Sequence, residues 1–323
     1  MRMSRNQNSE INTCFHKVLS ECGVIDQFKK VIIIFKENEY VWIELKNVLE
    51  KYEVNTIMVR IPNEEKDINS WIPKRCENGL FFIEPLGFYE ADLTIFGLPI
   101  EARDYIFQKR LHERFIELQT SGQPTIMIDW PPEDIESSLK ELVSHLYIRA
   151  LCADYSNVHT ENERLKNWLN RGRAYRITTS NGTDILIKRE ERPIHTEDCL
   201  INKTNKSILQ LPCGEVFFAP IEKASNGVLV TKVGKKKIEI SIKNGVARFE
   251  DERFLKIPNE SFLGEFGIGT NRSMAKLFSL SSGEKAYGTC HFGFGNNTDI
   301  GGQISTEYHY DIIIDEPTIT ILE

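Results

Sequence analysis

The chain has 323 residues, of which 41% are hydrophobic and 27% are charged, and its formal net charge at pH 7 is −7. These proportions are typical of a globular protein with one large domain or two ordinary ones. The excess of acidic residues argues against nucleic acid as a partner. No apolar stretch reaches the ~18 residues that a membrane span needs, so a membrane protein is also excluded.

The first half of the sequence alternates between apolar runs and helical patterns. The run Val31–Phe35 is typical of a strand buried on both faces. Apolar residues three and four apart then predict a helix from Trp42 to Tyr52. Further strands are expected at residues 56–61, 91–96 and 125–128, and further helices at 100–118, 133–155 and 162–169. This order predicts an α/β fold with an open, mostly parallel sheet.

No phosphate-binding motif follows the first predicted strand. Lys36-Glu37-Asn38 stands where a dinucleotide-binding protein would carry a glycine-rich turn, and a GxxxxGK[ST] motif is also missing there. Asp92 and Asp129, near the ends of predicted strands, are interpreted as turn and cap residues. The first half is therefore interpreted as a scaffold or as a wall of the substrate site.

The pattern changes between residues 170 and 175, where we place a domain boundary. We predict one domain from residue 1 to 172 and a second from 173 to 323. The second half consists of short runs of strand-forming residues, and Asn-Gly pairs at residues 181–182, 226–227 and 244–245 predict turns. We therefore expect a mostly antiparallel, β-rich α+β domain, which carries all the glycine-rich motifs.

The cysteines and the N-terminus favour a cytoplasmic protein. There are seven cysteines, an odd number, and none forms a CxxC pair. Scattered cysteines of this kind predict free thiols in a reducing compartment. The first residues also lack the apolar core and the cleavage site of a secretory signal.

Two segments of the second half place a single glutamate in an apolar, glycine-containing run. Residues 211–220 contain Glu215, and residues 262–271 contain Glu265. Burying an unpaired carboxylate costs on the order of several kcal/mol, so each would need a partner. That partner is either an arginine or a metal ion.

A third segment, residues 290–311, combines glycines with histidine and aspartate. It begins with His291 and ends with His309 and Asp311, which lie two residues apart in a predicted strand and therefore project from one face. This pair is either the polar face of a surface strand or part of a metal site. Together the three segments supply two glutamates, two histidines and one aspartate, a set that suits Zn²⁺, Mn²⁺, Co²⁺ or Fe²⁺.

The three segments, in this order, resemble the thermophilic aminopeptidase family typified by aminopeptidase T. The family motifs Pro-x-Gly-Glu-Val-Phe-x-x-Pro, Leu-Gly-Glu, His-x-x-x-Gly and His-x-Asp have counterparts at residues 212–220, 263–265, 291–295 and 309–311. The resemblance implies an α/β domain followed by a metal-site domain, a homodimer, and an exopeptidase with two metal ions. The ligands that it implies, with one glutamate shared between the ions, are Glu215, Glu265, His291, His309 and Asp311.

The sequence departs from the family pattern at one position. The peptidases carry a tyrosine at the metal site seven residues after the first histidine, whereas this chain has Thr298. A short hydroxyl side chain does not reach where a phenol would, so the number of metal ions stays open. Asp299 is a possible substitute ligand, although a turn role beside Gly301-Gly302 is favoured.

We therefore expect a metal-dependent hydrolase of the aminopeptidase type that uses Zn, Co or Mn, with Glu215 and Glu265 as catalytic residues. Its substrate would be a peptide or a small molecule, and neither nucleic acid nor a membrane is expected as a partner. One alternative is a mononuclear Fe(II) ring-cleaving enzyme similar to 2,5-dihydroxypyridine dioxygenase, a relative of the same fold. In that case His291, His309 and Asp311 of this chain would hold the iron. The other is a catalytically silent relative that binds peptides.

Overall fold

The protein is described from a computed structural model. The residues that the structure describes are 5–61, 74–75, 81–83, 87–99, 122, 124–131, 136–197, 199–201, 208–233, 236–251, 254, 258–276 and 281–322. The chain divides into two compact units, one formed by residues 1–155 with 199–213 and the other by residues 156–198 with 214–323. The predicted domain boundary between residues 172 and 173 stays a prediction.

The elements are numbered along the chain. The helices are α1 Arg5–Glu21, α2 Val24–Gln27, α3 Glu39–Lys51, α4 Ser137–Leu151 and α5 Tyr155–Leu169. The strands are β1 Lys30–Phe35, β2 Asn55–Arg60, β3 Lys74–Arg75, β4 Phe81–Ile83, β5 Gly87–Tyr89, β6 Leu93–Pro99, β7 Thr125–Trp130, β8 Ala174–Thr178, β9 Asp184–Lys188, β10 His195–Glu197, β11 Ile208–Leu211, β12 Glu215–Phe218, β13 Asn226–Val233, β14 Lys236–Lys243, β15 Val246–Arg248, β16 Glu260–Gly269, β17 Thr289–Gly295, β18 His309–Asp315 and β19 Thr318–Leu322.

The first unit contains the parallel sheet that the sequence predicts. Its strands lie in the order β11-β7-β6-β1-β2, and every neighbouring pair is parallel. Helix α3 buries one apolar face, and the ring of Trp42 on that face lies where a Cβ on Gly97 of β6 would be, at 2.2 Å. Strand β11 was not predicted, because its four residues carry no period that distinguishes them from a loop. The predicted helix at 100–118 lies outside the described residues.

The second unit contains the antiparallel sheet, and the predicted α/β and α+β fold classes are confirmed. Its strands run β10-β12-β16-β15-β14-β13-β9-β8-β19, while β17 pairs with β16 and with β18. The predicted turns at residues 181–182 and 244–245 are present. The turn predicted at 226–227 is wrong, because both residues belong to β13 and Gly227 pairs with β9 and β14.

The two faces of this sheet differ in chemistry. In strands β12, β16, β17 and β18, one set of alternating side chains joins a hydrophobic core. The core-facing residues are Val216, Phe218, Phe266, Ile268, Phe292, Phe294, Ile312 and Ile314. The residues between them project from the opposite face, because side chains alternate along a strand.

Four cysteines lie in two close pairs, which the expectation of scattered free thiols did not include. Cys14 lies beside Cys152 and Cys199 beside Cys213, with Cα–Cα distances of 5.2 and 5.9 Å that a disulfide can span. The buried residues Cys22 and Cys290 are free. A pair separated by 138 residues, as Cys14 and Cys152 are, cannot be recognised from sequence spacing. Cys76 lies outside the described residues.

Among the described residues, no helix combines the length and the apolar character needed to cross a bilayer.

Gly227 gives a test of the antiparallel sheet. It has φ +141°, and a Cβ there would lie 2.1 Å from the carbonyl oxygen of Asp184 on β9. Gly182 also has a positive φ, +106°, but its nearest neighbour would be the flexible Lys237 side chain at 3.5 Å. Gly182→Ala should therefore cost about 1 kcal/mol of unfolding free energy through φ alone, and Gly227→Ala more than about 2 kcal/mol. Urea unfolding monitored by circular dichroism measures both, and equal losses would contradict the packing of β13 on β9.

Candidate metal centre

The five side chains singled out from the sequence lie on the same face of the second sheet, opposite the core. They come from four neighbouring strands and are Glu215 on β12, Glu265 on β16, His291 on β17, and His309 and Asp311 on β18. Register explains this arrangement, because Glu265 pairs with Gly293, and Gly293 pairs with Asp311. Residues in register on adjacent strands share a face.

A β-bulge directs Glu265 to this face. Leu263 pairs with Phe294 and Glu265 pairs with Gly293, so that one extra residue, Gly264, is inserted in β16. Leu263 therefore points into the core, and Glu265, two residues further along, points to the opposite face. The side-chain amide of Asn297 donates a hydrogen bond to the carbonyl oxygen of Gly264 at 3.0 Å and anchors the bulge.

The five side chains form one continuous cluster. Nε2 of His291 lies 3.5 Å from Oε2 of Glu215 and 3.3 Å from Oε1 of Glu265. Nε2 of His309 lies 3.5 Å from Oε2 of Glu265 and 3.3 Å from Oδ1 of Asp311. The carboxylate of Glu265 therefore lies between the two imidazoles and presents a different oxygen to each.

Two glycines give the imidazoles their space. A Cβ on Gly267 would lie 2.0 Å from Cε1 of His291. A Cβ on Gly293 would lie 2.7 Å from Nε2 of His309 and 2.8 Å from the Cβ of Glu265. Contacts this short are not tolerated, so both rings rest directly on the backbone of the sheet.

The charges of the cluster are closely balanced. Burial alone would lower the pKa of His291, but the hydrogen bond to Glu265 and the charges of Glu215, Asp311 and Glu284 raise it to about 10. Burial would also lower the pKa of His309, but Asp311 and Glu265 raise it well above its usual range. Both pKa shifts favour protonated imidazoles beside the carboxylates, and a metal ion that binds there would displace their protons.

The donor atoms suit a divalent metal ion. Glu215, Glu265 and His291 each offer one ligand atom, and these atoms all lie within 4.8 Å of one another. His291 is 1% exposed, and within the described chain the buried Oε2 of Glu215 has no hydrogen-bond partner. Buried polar atoms are usually satisfied, so such an atom is expected where a ligand is bound.

The backbone also prepares His309 for metal binding. Nδ1 of His309 lies 2.8 Å from the carbonyl oxygen of Asn296 and is therefore the nitrogen that carries hydrogen. Nε2 is then left to face Glu265 and Asp311. Metal-binding histidines usually donate their other N–H to such an acceptor, which fixes the tautomer and the ring orientation. The cluster thus offers one group of ligands around His291 and a second around His309, with Glu265 in both.

Sequence reasoning missed three charged residues that border the cluster. Nζ of Lys285 donates hydrogen bonds to Oε1 of Glu215 at 2.8 Å and to Oε2 of Glu197 at 2.5 Å. Glu284 is buried, and burial together with the charge of Asp311 raises its pKa well above the usual value. Lys285 and Glu284 lie in the 3-10 turn Ser281–Lys285, whose polar sequence resembles a surface loop. No sequence signal distinguishes them from solvated residues.

The alternative that an arginine neutralises the glutamates finds no support among the described contacts. Arg248 pairs with Glu260, and Arg272 lies over the ring of Tyr287. The partner of Glu215 is instead Lys285. Only one of the two Glu215 oxygens is used in this way, so the other remains directed at the cluster.

Thr298 and Asp299 do not extend the cluster. Both are exposed and lie in the 3-10 turn Thr298–Ile300 that follows β17. The hydroxyl of Thr298 donates to the side chain of Asn296 at 3.2 Å. The position of the family tyrosine is thus occupied by a surface residue.

Comparison with protein-family models and with curated proteins gives no match. Among solved structures, the chain is similar to 2,5-dihydroxypyridine dioxygenase from Pseudomonas putida KT2440, with a TM-score of 0.65 and 15% identity over 99% of this chain and 95% of the other. It is also similar to wild-type AmpT from Thermus thermophilus, with a TM-score of 0.66 and 14% identity over 96% and 94% of the two chains.

At these identities the likeness shows a shared fold. One of these two proteins is a dioxygenase and the other is AmpT. The chain shares their fold, and its described residues include a cluster of glutamate and histidine side chains with the donor atoms of a metal site.

Gly267 gives a test of the metal centre in which no ligand residue is substituted. Gly267→Ala should displace the His291 ring and weaken the binding of Zn²⁺ by at least about tenfold, because misplaced ligands bind poorly. Isothermal titration measures the affinity. In a His291→Ala background the added methyl group has space, so the same substitution should cost little unfolding free energy there and more in the wild type. Equal costs in both backgrounds would contradict the placement of the ring over Gly267.

Proposed function

We propose that this protein is a metal-dependent hydrolase of the aminopeptidase type, which removes an N-terminal residue from, or cleaves an amide of, a peptide-like substrate. The observation that carries the proposal is the position of Glu265 between His291 and His309, with one oxygen directed at each. A carboxylate in this position is the arrangement expected where two metal ions share a ligand.

Each residue of the cluster has a role in this proposal. Glu215, Glu265 and His291 would hold one ion, and Glu265, His309 and Asp311 would hold the other. Zn, Co or Mn bound there would lower the pKa of a water molecule and polarise the carbonyl group to be cleaved. Glu215 and Glu265 would be the catalytic residues, accepting the proton of the water and passing it to the leaving amine.

A metal ion held by the cluster would also anchor the free amine of a small substrate. A cytoplasmic location, a homodimer, and the lack of nucleic-acid and membrane partners remain predictions.

One observation favours the mononuclear Fe(II) ring-cleaving alternative. Phe217 follows Glu215 by two residues on β12 and so projects from the face of the candidate metal centre, where it stacks with His195 at 5.4 Å between ring centroids and an interplanar angle of 23°. A flat aromatic substrate would find a stacking surface there. His291, His309 and Asp311 would then hold the iron. The exposed Thr298 in place of the family tyrosine is also consistent with a single ion.

The metal content and His309 test the proposed function directly. Gently purified wild-type protein should hold Zn, Co or Mn, and should release free amine from small peptides. His309→Ala should lower kcat/KM by at least about a hundredfold, because it removes a metal ligand. Even the loss of a residue that only orients a ligand lowers metal affinity or activity by about 10–100-fold. Asp299→Asn is the control, because it changes an exposed carboxylate outside the cluster, and it should stay within about twofold of wild type.

The outcomes separate the three candidate functions. Full activity of His309→Ala contradicts the hydrolase. One iron per chain, with oxygen consumed in the presence of an aromatic diol, supports the ring-cleaving alternative. Protein that binds peptides without metal and without turnover supports the silent relative.

A further inference from the structure

We propose that Lys285 is a positioning residue that fixes Glu215 as a one-oxygen ligand of the candidate metal centre. The inference rests on the proposed function, because it concerns how one of the proposed ligands is held. It assigns a role to a lysine that lies outside every motif recognised in the sequence.

Lys285 is buried among acidic groups. Its side chain is 2% exposed, and its ammonium donates to Oε2 of Glu197 at 2.5 Å and to Oε1 of Glu215 at 2.8 Å. A buried ammonium is retained only where such partners compensate for the lost hydration. The pair of contacts therefore holds both carboxylates, as well as the lysine, in fixed positions.

The register of the sheet explains why a cation is needed there. Glu197 on β10 lies directly opposite Glu215 on β12. Two like charges directly opposite one another destabilise a sheet. Lys285 lies between them and converts this repulsion into a three-membered ion cluster of lysine and two glutamates.

The turn that carries Lys285 is held by the backbone of the same sheet. Gly269 pairs with Glu215 in register, and a Cβ on Gly269 would lie 2.2 Å from the carbonyl oxygen of Ala286 and 2.7 Å from the carbonyl carbon of Lys285. The amide of Asn271 also donates to the carbonyl oxygen of Lys285 at 2.9 Å. The close contact of the turn with Gly269 thus fixes the position of the Lys285 backbone relative to Glu215.

The consequence for Glu215 follows from its two oxygens. Oε1 is taken by Lys285, whereas Oε2 lies 3.5 Å from Nε2 of His291 and accepts no hydrogen bond in the described part of the chain. Only Oε2 is therefore presented to a metal ion. Without Lys285, Glu215 would be free to rotate and to bind through both oxygens or neither.

Lys285 could act by its charge alone or through its bond to Oε1, and a double substitution separates these. Lys285→Met removes both the charge and the bond. Lys285→Met combined with Glu197→Gln also removes the bond, but it restores the net charge of the buried cluster. If the bond positions Glu215, metal binding stays defective in the double variant.

The experiment uses Co²⁺ as the probe, with the full-length protein. Titration gives the affinity, and the d–d absorption of the bound ion reports the number of its ligands. Lys285→Met and the double variant should both bind Co²⁺ at least about tenfold more weakly than wild type, with an altered spectrum. Lys276→Met is the matched control, because Lys276 pairs with Asp315 at 2.6 Å but is 35% exposed, and it should match wild type in both measurements.

Each outcome decides the inference. Wild-type affinity and spectrum in Lys285→Met, or in the double variant, contradict a positioning role. If Lys285→Met does not fold, as judged by thermal unfolding with a chelator present, the charge-balanced double variant decides by the same criteria. A wild-type protein that binds no Co²⁺ contradicts the proposed function and this inference together, whereas equal binding by wild type and both variants contradicts this inference alone.

Discussion

The position of Glu265 between two imidazoles depends on one irregularity in strand β16. Without the bulge at Gly264, the alternation that buries Leu263 would also turn Glu265 toward the core. The bulge shifts the alternation once, so that the strand contributes Leu263 to the hydrophobic core and Glu265 to the opposite face. The other four side chains of the cluster lie on this face through the ordinary alternation and register of their strands.

The two faces of the antiparallel sheet thus have different roles, since one packs into the hydrophobic core and the other carries the candidate metal ligands. Its buried face contains aromatic and β-branched side chains whose contact stabilises the unit. Its other face has glycine at Gly267 and Gly293, where larger side chains would fill the space of His291 and His309. Removing side chains from these positions weakens the sheet locally, and the packed core on the other face compensates for it.

Charge balance sets a second constraint on the cluster. Carboxylates this close together are stable only when cations neutralise them. Lys285 supplies a permanent cation between Glu197 and Glu215, and the histidines supply exchangeable ones beside Glu265 and Asp311. A metal ion that binds the imidazoles would replace these protons.

The elements with strong local patterns were predicted correctly from the sequence. Strands β1 and β7 contain continuous apolar runs, helix α3 has apolar residues three and four apart, and the acids and histidines of the cluster lie in recognisable motifs. Other features depend on tertiary context. Strand β11 joins the first sheet from a distant part of the chain, and Asn226-Gly227 enters a strand because Gly227 has to approach β9 closely.

Charged residues outside the motifs escaped prediction for the same reason. Lys285 and Glu284 stand in a polar segment, and only the fold reveals that they are buried. The pairing of Cys14 with Cys152 likewise requires knowledge of which helices meet. Local composition does not report either of these properties.

Anomalous diffraction from crystals grown with Zn²⁺ tests whether the five side chains around Glu265 bind metal ions. We expect two anomalous peaks about 3.5–4 Å apart, with Glu265 between them and with nitrogen and oxygen ligands about 2.0–2.2 Å away. The absence of any anomalous peak at this cluster, with zinc bound elsewhere or not at all, would contradict this expectation.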